Sequence, residues 1–127
     1  IFFGKYEKDA GVVVHEVGHV IHWNSKAIAD LTHQFFQERT KDSDTKEWTN
    51  SGGGKEWAYP DNFINYYTGR EYGWESKYAS GVRSTHGFMG QEVISMGLQH
   101  MYSEPEKFLK EDPDHFWFIY AIMEGLF

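Results

Sequence analysis

The residues best spaced to do chemistry in this sequence are His15, Glu16 and His19, in the run His15-Glu16-Val17-Gly18-His19. On an α-helix His19 lies about 40° around and about 6 Å along from His15. Two imidazoles so placed converge on one tetrahedral ion. Glu16 falls on the flank of the same face, where a carboxylate reaches a metal-held water without displacing it. This is the physical content of the H-E-x-x-H pattern: two neutral nitrogen ligands and an acid that takes a proton from water. The competing reading is a helix with two hydrogen-bonded core histidines. The apolar setting (Val12, Val13, Val14, Val17, Val20, Ile21) predicts a largely buried helix. Burying two histidines and a glutamate without a task is costly. Gly18 weakens the helix by about 1 kcal/mol relative to alanine, and predicts that another element packs close beneath the site.

Such a centre needs a third protein ligand. His22 lies about 10.5 Å along the axis from His15, too far for a zinc–nitrogen bond of about 2.0–2.1 Å. It is left for a supporting, substrate-facing or surface role. Position 25 is Ser, so the longer pattern with a third histidine is absent. Glu92 opens an apolar helix (Val93, Ile94, Met96, Leu98, Met101). It is either the third ligand or an acid favoured by the helix dipole, and the residues alone leave both open. His86 and His100 are rival ligands. Outer-shell acceptors for the histidines are sought among Asp30, Ser95 and Gln99.

The elements that position these residues follow from periodicity and punctuation. Residues 1–8 read as a strand end or lead-in. Asp9 reads as the N-cap of a helix from Ala10 to Trp23. Ser25 caps a second, Ala27 to Arg39, with Ile28, Leu31 and Phe35 on one face. The polar segment Thr40 to Lys55, with Gly52-Gly53-Gly54, reads as a mobile loop. Glu56 to Ser84 lacks helical period and predicts an ordered loop or short strands packed by aromatic rings. Further helices are expected from Gly90 to Tyr102, from Pro105, and from Asp112 (cap) with Pro113 at the first position, to Glu124. No internal repeat stands out. The expected fold class is α+β, mainly helical, in one domain over 1–127.

Composition narrows the field. With 127 residues, 40% hydrophobic and 18% aromatic, the chain has enough apolar mass for a core. There is no cysteine, which excludes disulfides, thiolate metal sites and a cysteine nucleophile. Any metal is held by imidazole and carboxylate. The net charge of −7 argues against a nucleic-acid partner. No apolar run reaches the roughly 20 residues needed to span a bilayer, so no membrane partner is expected. The chain starts on Ile1 followed by Phe2 and Phe3, which reads as a domain cut from a longer polypeptide.

His15, Glu16 and His19 with the downstream Glu92 resemble the gluzincin arrangement of the zincin metallopeptidases. The wider pattern resembles the metallopeptidase domains attached to phage Mu F-like minor head, or head-morphogenesis, proteins. It is carried by Val14–His22, Asn65–Gly73, Gln91–Gly97, Glu111–Phe116 and Glu124-Gly125. The resemblance implies a zincin-like fold with an HExxH helix and a ligand helix. It implies Zn2+ as cofactor, Glu92 as third ligand and Glu16 as base. The expected partners are a protein or peptide substrate and other phage head proteins, in a virion or a bacterial cytoplasm. Two departures stand out. Many gluzincins carry an acid four residues after the ligand Glu, to orient a histidine, and here that position is Met96. The upstream sheet that binds peptide is mostly missing, since only residues 1–8 precede the motif helix.

In this reading the metal acidifies a water, and Glu16 takes its proton and passes it to the leaving amine. Oxyanion donors are sought among Tyr67, Tyr72 and His86, although aromatic packing explains a tyrosine equally well. Three functions compete: a zinc peptidase, a zinc-holding interaction module without turnover, and a metal-free packing domain.

Overall fold

The computed structural model describes residues 10–43, 46–49, 53, 55–59, 61–71 and 90–125. They form a mainly helical α+β arrangement. In chain order these are α1 (Ala10–Asn24), α2 (Lys26–Thr40), β1 (Lys46–Thr49), β2 (Lys55–Ala58), β3 (Arg70–Glu71), α3 (Val93–Ser103), α4 (Pro105–Glu111) and α5 (Pro113–Met123). The expected lead-in over 1–8 and the Asp9 cap lie outside the described residues.

Local chemistry sets the helix ends. Ser25 Oγ accepts from the Ile28 amide at 3.3 Å and starts α2, as its residue type foretold. Asp112 accepts from the His115 amide at 3.1 Å and starts α5, with Pro113 inside the first turn. Pro105 likewise opens α4. Gly90 takes a positive φ of 74° and packs against Phe36, so α3 starts at Val93 rather than at Gly90. On α2 the fully enclosed side chains are Thr32 and Phe36, one position round from the expected stripe. Thr32 and Thr40 stay satisfied by donating to the carbonyls of Ile28 and Phe36, each at 2.7 Å.

The segment read as a mobile loop is corrected in part. β1 lies inside it and pairs antiparallel with β2, Lys46 opposite Ala58 and Thr49 opposite Lys55. β3 extends the sheet, with Ala58 opposite Arg70. Strands of four residues carry too little alternation to stand out from a polar stretch. A signal was present: Lys46-Glu47-Trp48 and Lys55-Glu56-Trp57 repeat one tripeptide on the two paired strands.

The core has two apolar clusters that meet along α3. Phe36, Tyr59, Phe63 and Val93 form one; Ile94, Leu98, Phe108 and Ile119 form the other. His115 sits beside both, its ring 4.9 Å from Phe108 and 6.1 Å from Phe63. Its Nε2–H donates to the Val93 carbonyl at 2.8 Å, which pins the first turn of α3. Burial pushes the His115 pKa down to about 4, so the ring is neutral near neutral pH. Arg39 of α2 bridges to Asp112 through two hydrogen bonds of 2.5 and 2.9 Å, and so ties α2 to the start of α5.

Helix α1 corrects another expectation. Only Gly11, Gly18 and His22 on it are buried, while Val17 and Val20 are 40% and 43% exposed. The helix lays one face along α3, with Val14 and Ile21 against the core, and turns Val17 and Val20 outward.

Candidate metal centre

Glycine brings α1 and α3 together. A Cβ on Gly18 would stand 2.5 Å from Ser95 Cα and 2.8 Å from Ser95 N. No larger residue fits against that backbone, so Gly18 has the close-packing role expected of it. The approach puts the His15–His19 face of α1 against the first turn of α3, where Glu92 is waiting.

The three side chains meet. His15 Nε2 is 3.2 Å from Glu92 Oε2, and His19 Nε2 is 3.3 Å from Glu92 Oε1. The two imidazole Nε2 atoms are 3.2 Å apart. A tetrahedral ion with bonds of about 2.0–2.1 Å requires ligand atoms about 3.3–3.4 Å from one another. Each histidine faces a different oxygen of the Glu92 carboxylate, and one ligand atom from each of the three residues lies within 4.8 Å of the other two, a spacing from which small side-chain shifts reach those of such an ion. Among the described residues this is the one group of three His, Cys, Asp or Glu side chains close enough to share an ion.

Hydrogen-bond partners constrain the protonation of the cluster. Gln99 Oε1 lies 2.9 Å from His15 Nδ1. An amide oxygen only accepts, so Nδ1 carries the hydrogen and a neutral His15 turns its Nε2 lone pair inward. That lone pair faces a carboxylate oxygen and a second ring nitrogen. A bound cation, or the hydrogen of a His19 protonated at Nε2, would satisfy it. Burial alone would lower the His15 pKa, but the hydrogen bond and charge of Glu92, helped by Gln99 and Glu16, outweigh it and raise the value. The distances of 3.2 and 3.3 Å are longer than the roughly 2.7–2.9 Å of a charge-assisted hydrogen bond. The donor set, two imidazoles and a carboxylate, suits zinc.

Glu92 is 1% exposed and stands at the N-cap of α3 without making a side-chain cap hydrogen bond. The helix dipole favours an acid at this position, and the carboxylate also faces the two histidines, with Ser95 Oγ donating to its Oε2 at 2.9 Å. Of the acceptors proposed for the histidines, Gln99 contacts His15, whereas Ser95 donates to Glu92 instead. Asp30 is instead paired with Lys26 at 2.6 Å, on the surface.

The other sequence candidates sort as follows. Glu16 is half-buried on α1, and its charge is felt at His15. The Tyr67 ring lies 6.2 Å from the His15 ring. It is held there by a tight segment in which Asn65 Oδ1 accepts from the amide and hydroxyl of Thr68, at 3.0 and 2.8 Å. Tyr72 and His86 lie outside the described residues. His100 is corrected as a ligand: it packs on Phe108 at 5.2 Å and is not in the cluster. His22 is buried, not on the surface, with its ring 6.0 Å from Trp23.

Two concavities among the described residues are separate from the cluster. One, about 420 Å³, is lined by Arg39, Asp61, Phe63 and Asp112, and its Arg39 and Asp112 are already paired with each other. The other, about 270 Å³, lies between His100, Phe108 and Glu111. Comparison with known proteins adds no family: no family model, no curated protein and no solved structure matches this chain.

Proposed function

We propose that this chain is a zinc-dependent peptidase domain of the gluzincin-like zincin type, related to the domains attached to phage head-morphogenesis proteins. The observation that supports it most is the convergence of His15, His19 and the buried Glu92 carboxylate, whose closest contacts are 3.2–3.3 Å. The phage connection rests on the resembling segments alone.

Zinc held there would supply a Lewis acid and an acidified water. The chain's own residues do the rest. His15 and His19 present neutral nitrogens, and Glu92 supplies one negative charge. Glu16, next to His15 in sequence and half-buried, accepts the proton from water as it attacks a peptide carbonyl. It then delivers that proton to the departing amine. Tyr67, whose ring neighbours His15, is the described candidate to donate to the oxyanion.

The test has two arms. Elemental analysis of the purified chain and of His15→Ala reads the metal; one zinc per chain in the first and none in the second is expected. A peptide-cleavage assay with Glu16→Gln reads turnover. That variant should keep its zinc and lose cleavage, and unchanged cleavage would overturn the role of Glu16. A second reading, a zinc-holding interaction module without turnover, draws support from the concavities, whose lining residues include none of the metal donors. It predicts stoichiometric zinc and no cleavage in the unmutated chain.

A further inference from the structure

We propose that Gln99 is the positioning residue of the metal centre, fixing His15 as the Nδ1–H tautomer through a neutral rather than an anionic acceptor. The inference rests on the metal reading above. It starts from the 2.9 Å contact between Gln99 Oε1 and His15 Nδ1. Gln99 stands seven residues after Glu92, which on a helix is two turns and about 20° from the same line. One face of α3 therefore delivers a ligand, Glu92, and the group that orients another, His15. Ser95, three residues after Glu92, holds the ligand carboxylate with its hydroxyl at 2.9 Å. Met96, at the position where a gluzincin would place its orienting acid, is buried and apolar. The task has moved one turn along the helix.

Charge distinguishes this arrangement from a carboxylate orienter. Two neutral imidazoles and one carboxylate leave a divalent ion with a net charge of about +1. A carboxylate at position 99 would fix the same tautomer, but would cancel that charge nearby and make the imidazole a stronger donor. Glutamine supplies the geometry and leaves the centre electropositive. Position 99 should accordingly separate two effects, orientation and charge, that a single acid combines.

The experiment measures zinc affinity by competition with a chromophoric chelator for the unmutated chain, Gln99→Leu and Gln99→Glu. It also reads the His15 ring by ¹⁵N–¹H correlation in the unmutated, zinc-loaded chain. Gln99→Leu, which removes the acceptor at similar volume, should bind zinc about 10–100-fold more weakly. Gln99→Glu should bind at least as tightly as the unmutated chain. The His15 ring should show Nδ1 protonated and Nε2 on the metal. Zinc affinity in Gln99→Leu within about twofold of the unmutated chain, or Gln99→Glu as weak as Gln99→Leu, overturns the proposal. If Gln99→Leu does not fold, the tautomer and Gln99→Glu decide, and a His15 protonated at Nε2 overturns it. An unmutated chain that takes up no zinc defeats the metal reading itself. That result is distinct from a zinc-binding chain indifferent to residue 99.

Discussion

Replacing Gly18 by alanine should weaken the proposed metal centre more than the fold. The added Cβ would lie 2.5 Å from Ser95 Cα, 2.8 Å from Ser95 N and 3.2 Å from the Ile94 carbonyl carbon. Non-bonded carbons settle at about 3.5–4.0 Å. All three obstacles are backbone, so no side-chain rotation relieves them, and α3 must withdraw from α1 by about 1 Å. For the metal-free protein two terms oppose each other. Alanine favours the helix by up to about 1 kcal/mol, while overpacking costs about 1–3 kcal/mol. The net loss is then roughly 0–2 kcal/mol. For the metal the effect is one-sided. Glu92 and Ser95 travel with α3, so donor edges now at 3.2–3.3 Å stretch toward roughly 4 Å, beyond the reach of bonds of about 2.0–2.1 Å. Zinc affinity should fall on the order of 100-fold, or about 2.7 kcal/mol. Urea denaturation with and without zinc, combined with chelator competition, separates the two losses. Undiminished zinc affinity in Gly18→Ala would refute both the close contact of the helices and the shared ion.

Other outcomes follow from the same geometry. Glu92→Gln removes the anionic ligand and leaves a buried amide, so it should abolish stoichiometric zinc by elemental analysis. Zinc binding requires a neutral His15, whose pKa is raised in the metal-free chain. Affinity should therefore weaken as pH falls below that raised value, with protons released on binding in calorimetry. The same shift stabilises the metal-free fold fully below a pH of about 6.5, and that contribution is lost as pH rises through the raised pKa. His115 works in the opposite sense. Its pKa is lowered by burial to about 4, so its stabilisation is complete above a pH of about 6.5 and is lost as pH falls toward 4. The unfolded chain takes up the proton first, and the full swing is on the order of 3 kcal/mol. Urea midpoints at about pH 7 and 4.5 should converge in His115→Gln relative to the unmutated chain, and an equal acid loss in both would discount His115.

The shared face of His15 and His19, the general position of the helices and their caps were readable because they depend on neighbours in sequence. His15 and His19 share a face through helix geometry alone. Ser25, Pro105, Asp112 and Pro113 announce helix ends through groups at most three residues away. Gly18 signalled a close approach without saying to what. The partner helix, and thus the meeting of the Glu92 carboxylate with the two histidines, rests on contact between residues more than 70 apart in the chain. The same is true of Gln99, whose role is invisible until α3 lies against α1. The exposed side of α1 misled for the same reason: Val17 and Val20 have core chemistry, yet only the packing decides which face of a helix with apolar residues on several sides is covered. The short strands were hidden because their stability comes from cross-strand pairing rather than from local pattern. Sequence determined which groups could bind an ion and, at Ser25, Pro105 and Asp112, where helices begin. Tertiary structure decided which groups meet, because bringing distant segments together is a property of the whole core.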